Sequence, residues 1–149
     1  MAVIQYKIRE QFVQSVEIQL LTIENMPPAE WVKAKVTFRF WSGFPDISIE
    51  RSGQEIDDVR RLINDIKDIV NNKVEKVEFY PLEPDYSFFV SKDEDNYKVR
   101  VTLDATGTQR TGVYCGFGPT LEIPVTKDDI EQFANDLEHE LITLVNSRE

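Results

Sequence analysis

Residues 31–41, WVKAKVTFRFW, alternate apolar and polar side chains along their length. Val32, Ala34, Val36, Phe38 and Phe40 occupy every second position, with Lys33, Lys35, Thr37 and Arg39 between them. A period of two sends successive side chains to opposite faces of an extended chain, so this stretch buries one face as a β-strand. The same pattern recurs. In residues 16–24, Val16, Ile18, Leu20 and Thr22 share a face until Met26-Pro27-Pro28, where proline offers no donor to a ladder. Ile47 and Ile49 carry a short strand beyond a turn at Trp41-Ser42-Gly43-Phe44, and Val77, Phe79 and Leu82 suggest another. Residues 87–91 and 97–103 flank Lys92-Asp93-Glu94-Asp95-Asn96, a hairpin connection longer than the two-residue optimum. Leu121, Ile123 and Val125 alternate once more.

Two segments follow a different period. Ser52 and Glu55 have the spacing of a capping box, and Ile56, Val59, Ile63, Ile66 and Val70 then recur every three or four residues. Thr126 and Asp129 repeat the device ahead of Ile130, Phe133, Ala134, Leu137, Leu141 and Val145, with Leu144 at the flank. Strand, turn, strand and capped helix thus occur over 32–70 and again, loosely, over 97–145. Strict alternation fits an antiparallel sheet with one covered face. The expected fold is α+β: one domain over 1–149, a predominantly antiparallel sheet of six or seven strands, and two helices packed on one face. A chain of 149 residues buries enough surface to fold without metal or disulfides.

The charge balance is 27 acids against 17 bases, a net −10. Phosphate backbones repel such a body unless its bases cluster, so no nucleic-acid partner is expected. A basic protein partner would gain from the long-range field, although net negative charge also serves solubility alone. The N-terminus lacks the apolar core of a signal peptide, and no run approaches a membrane span, so no membrane partner is expected. With a single cysteine, Cys115, the expected compartment is the cytoplasm.

The stretch Gly112-Val-Tyr-Cys-Gly-Phe-Gly-Pro119 holds three of the six glycines. A phosphate-cradling loop needs a following helix, whereas a strand follows here, and the lysine of a P-loop is missing. A nucleophilic Cys115 would need a base. The one histidine, His139, stands two positions from both Leu137 and Leu141, off their apolar stripe. The paired acids Asp57/Asp58 and Asp128/Asp129 lie in first helical turns, where the helix dipole accounts for them. Asp93 and Asp95 lie in a turn, and Glu83 and Asp85 form a further pair. No calcium-loop spacing or zinc set is present, so no metal and no cofactor are expected.

Two candidate sites remain. Trp41, Phe44, Tyr86, Tyr114 and Phe117 could form an aromatic rim near the strand turns, with Glu131 and Glu138 on the acidic final helix. From residue 122 to 149 there are eight acids and two bases, and Asp136 and Glu140 also fall outside the apolar stripe. The competing site is a pocket lined by Cys115 with Asp85, Asp104 and Glu122, which would suit an enzyme or small-ligand protein. A structural or oligomeric domain that pairs through an open sheet edge is the third reading.

Phe40-Trp41-Ser-Gly-Phe44 leading into Ile47-Ser-Ile49, and Leu121-Glu-Ile-Pro-Val-Thr126 leading into Asp129-Ile-Glu-Gln-Phe133, carry a family likeness. Over residues 31–145 the order resembles small bacterial immunity proteins of contact-dependent or cell-wall-associated toxin systems. That resemblance implies a non-enzymatic protein that binds and blocks a cognate toxin, such as a nuclease, by covering its active site. It carries no particular inhibitory residue across.

Overall fold

The computed structural model describes residues 1–82, 85–103 and 118–148. The chain runs β1 (Ala2–Ile8), β2 (Gln11–Met26), β3 (Ala29–Phe40), β4 (Ile47–Glu55) and α1 (Ile56–Val70). It continues with β5 (Lys76–Phe79), β6 (Tyr86–Asp93), β7 (Asn96–Leu103), β8 (Thr120–Val125) and α2 (Lys127–Asn146). Two four-stranded antiparallel sheets result, β1-β2-β3-β4 and β5-β6-β7-β8. The α+β class holds, but the expected single sheet of six or seven strands does not. The 15-residue helix α1 separates β4 from β5, and the strands after it pair among themselves.

Nor do the helices share one face of one sheet. α2 packs on β1 and β2 of the first sheet and touches β7 of the second, while α1 packs on α2 and on β3, β4 and β5. Both apolar stripes and both inner sheet faces therefore meet in one core. Phe38, Phe79, Phe88 and Phe133 are fully buried there, with Phe88 and Phe133 stacked at 5.5 Å and 8°. Stacked rings of this kind add to the area they remove from water.

Alternation predicts the inward residues well, with Val32, Ala34, Val36 and Phe38 all buried. Two local expectations are corrected. The strand β4 runs through Ser52 to Glu55, and Glu55 itself caps α1, its N–H donating to Asp58 Oδ2 at 3.1 Å. Buried Gln54 pairs with Val32, which keeps this segment in the ladder. The β6–β7 connection is tight, because Asp93 pairs with Asn96 and leaves only Glu94 and Asp95 in the turn. Glu94 adopts φ 55, the left-handed conformation such turns need. The first strand, β1, had no expectation attached to it. Its turn uses Arg9 and Glu10 at φ 49 and 65, two residues that do not advertise that conformation. Thr126 caps α2 as its spacing predicts, accepting from the Asp129 N–H at 3.2 Å.

Candidate protein-binding site

Between β3 and β4 the chain leaves the sheet for the turn that holds Trp41 and Phe44. The Trp41 N–H still donates to the Val13 carbonyl at 3.0 Å, which ties the start of the turn to β2. Gly43 then takes φ 75, a left-handed conformation open to glycine at no steric cost. The outcome is two large rings turned to solvent, Trp41 at 69% and Phe44 at 70% exposure. Ile47 follows at the start of β4, and Ile8 closes β1 at the same end of the sheet, each partly exposed. Beneath them Arg39 reaches Glu17 Oε1 at 2.7 Å and Asp46 at 3.7 Å, a charged strut from β2 to the turn. Rigid exposed rings beside anchored charges are the usual make-up of a protein contact, since aromatic side chains supply area at low entropic cost.

Tyr86 does not belong to this rim. It is 5% exposed, its ring lies 6.0 Å from that of Phe79, and its hydroxyl donates to Gln54 Oε1 at 2.7 Å. It begins β6 on the inward phase, so the core takes it. Burial first, then the Asp58 and Asp85 carboxylates, hold its phenol well above the ordinary range. Tyr114 and Phe117 lie outside the described residues.

The acids of α2 divide in the same way. Glu131 is exposed. Glu138 is not a free surface charge, because Lys67 of α1 sits 2.6 Å from its Oε2. Glu140, expected outward, instead accepts the Leu20 N–H at 3.1 Å and faces the N-terminal ammonium at 3.3 Å. The negative field thus comes from fewer groups than the helical phase suggests.

The competing pocket is not assembled among the described residues. Asp85 lines a niche with Arg51, Gln54 and Tyr86 of about 10 Å³, room for one water-sized sphere. Glu122 points from the outer face of β8, exposed and paired in register with Arg100. Cys115 and Asp104 lie outside the described residues. Among those described, no three His, Cys, Asp or Glu groups are placed to hold a metal, and no helix is long and apolar enough to cross a membrane.

A scan against protein families matches residues 9–144 to the immunity protein WapI-like family. None of the curated proteins matches the chain. Two solved structures are similar at low identity. WHY1 from Arabidopsis thaliana is 11% identical, with 91% of this chain and 80% of that one covered, at a TM-score of 0.48. The plant transcriptional regulator PBF-2 is 13% identical, with 100% and 89% covered, at a TM-score of 0.46. The expectation of no nucleic-acid partner rested on net charge alone. A transcriptional regulator among the similar structures contradicts it, and that exclusion is withdrawn.

Proposed function

The chain belongs to the immunity protein WapI-like family, and on that premise we propose that it neutralises a cognate toxin by binding it, without chemistry of its own. The observation that carries the proposal is the β3–β4 turn, where Trp41 and Phe44 stand 69% and 70% exposed on an anchored scaffold. Rings left in water at that level gain most when a partner covers them. The partner is a basic protein, steered by the net −10 of the chain. Inhibition is steric: the turn anchors the contact and the body of the domain covers the toxin's working surface. Cytoplasmic action fits this reading, since an immunity protein meets its toxin where the toxin acts.

The test is co-expression with a candidate toxin domain from the same genome, read as growth. The unaltered chain restores growth, and the double variant Trp41→Ala, Phe44→Ala does not, while its folding midpoint stays unchanged. A chain that neither binds that toxin nor restores growth would sink the reading.

A further inference from the structure

The edge of β1 borders a groove that the contacts above leave unused. Two hydrogen bonds set the direction of its backbone groups. The Val13 carbonyl of β2 accepts from Trp41, so odd residues of β2 turn their backbone groups toward β3. The Leu20 N–H goes to Glu140, so even residues turn the other way, toward β1. In an antiparallel ladder a bonded pair exchanges both its bonds. Ile18, Val16 and Gln14 therefore bond to Ala2, Ile4 and Tyr6, their register partners. The N–H and C=O of Val3 and Gln5 must then point outward, away from the sheet.

Those two residues line one side of a groove of about 700 Å³, with Pro124 of β8 and Asp129, Gln132 and Asp136 of α2 along the other. The opposite edge cannot serve in the same way. The Leu103 N–H donates to Pro119 at 2.9 Å, so odd residues of β8 face β7 and even ones face outward. The outward residue at the groove is Pro124, which has no N–H to offer. Of the two edges that border this space, β1 is the one able to accept another strand.

Charge defines the occupant. Glu10, Asp129 and Asp136 oppose a single ammonium, that of Lys7, around the groove. Asp129, Gln132 and Asp136 stand three and four residues apart, one stripe along α2, and Gln132 Nε2 donates to Asp136 Oδ1 at 2.7 Å.

We propose that the β1 edge takes up an extended, basic segment of the partner protein as an added strand, paired to Val3 and Gln5 and facing the Asp129–Asp136 stripe. Main-chain bonds would supply affinity and alternate side chains the selectivity, as in other strand additions. The proposal rests on the protein-binding reading above and names where on the chain a second contact lies.

The probe is a short synthetic peptide alternating lysine and valine, with a glutamate–valine peptide as its counterpart, titrated into the full chain. Amide exchange is the readout. In the free protein the Val3 and Gln5 amides exchange freely while those of Ile4 and Tyr6 are protected, and the basic peptide slows Val3 and Gln5 at least ten-fold. The acidic peptide does not. Gln5→Pro removes an outward N–H without touching the ladder to β2, and lowers affinity for the basic peptide about ten-fold or more, while Gln5→Ala keeps it. Unchanged exchange at Val3 and Gln5 under saturating basic peptide overturns the proposal, as does equal affinity of a folded Gln5→Pro variant. The two readings fail separately: a Gln5→Pro chain that neutralises toxin as well as the unaltered one removes the edge alone. Protection of the edge in a chain that neutralises nothing removes the immunity reading alone.

Discussion

Tyr86 and Trp41 are both large aromatic residues near a strand end, and they meet opposite fates because of phase. Tyr86 opens β6 pointing inward and gains a hydrogen bond to Gln54, whereas Trp41 sits one position past β3 in a turn that leaves it 69% exposed among the described residues. Replacing Trp41 or Phe44 with alanine should change folding stability by no more than about 0.5 kcal/mol. Each should weaken toxin binding by about 2 kcal/mol, close to thirty-fold, in a calorimetric titration. Tyr86 makes a prediction with the other sign. Its phenol is neutral when protonated, and the fold raises its pKa above the ordinary value of 10.0. Below that value both folded and unfolded chains hold the proton and nothing changes with pH. Above it the unfolded chain releases the proton first, so stability falls by up to about 1.4 kcal/mol per pH unit. Tyr86→Phe should cost about 1 kcal/mol at neutral pH, by stranding Gln54, and remove this alkaline loss. Urea titrations of both chains across the alkaline range would show the two curves converging. Curves that stay parallel would contradict it.

At the scale of elements, both helices are held at their starts by acids, and the acid of α1 also reaches beyond its helix. Asp58 accepts from the N–H groups of Glu55 and Leu82, at 3.1 and 3.0 Å, and pairs with Arg61 at 2.8 Å. Arg61 in turn donates to the Tyr80 carbonyl at 2.8 Å and lies over the Phe79 ring, so this cluster fastens α1 to the segment after β5. Asp58→Ala should cost about 2 kcal/mol in chemical denaturation, because it strands two backbone donors as well as breaking the ion pair. Thr126→Ala, which removes a cap alone, should cost about 1 kcal/mol. Equal losses in the two variants would argue that Asp58 does no more than cap. The start of α2 was legible from Thr126 and Asp129, but the start of α1 was not. Ser52 and Glu55 have the capping spacing, and so do Glu55 and Asp58. The choice between them fell to β4, whose pairing with β3 claims Ser52 through Gln54 for the sheet. β1 went unread because Arg9 and Glu10 form its turn without a glycine or asparagine.

Over the whole molecule, the two sheets are joined directly, where β1 and β2 meet β8, and also through the helices. Phe133 of α2 stacks on Phe88 of β6 while its helix packs on β1 and β2, so this one ring links both halves. Phe133→Ala should destabilise the protein by about 3–5 kcal/mol, and heat or urea should still unfold it in a single transition. Two separated transitions would show that the halves fold independently. The net charge acts at this scale too. Toxin association should slow as salt rises, with dissociation little changed, as expected for steering by a field of −10. Periodicity and capping residues act over one strand or one helical turn, and for that reason the inward faces of Val32 to Phe38 and of Ile130 to Leu141 could be read directly. The division into two sheets, the burial of Tyr86, the capture of Glu138 by Lys67 and of Glu140 by Leu20, and the outward turn of the Val3 and Gln5 backbone were decided only when distant segments met. Each depends on which surface is covered, and burial is a property of the assembled chain, not of neighbouring residues.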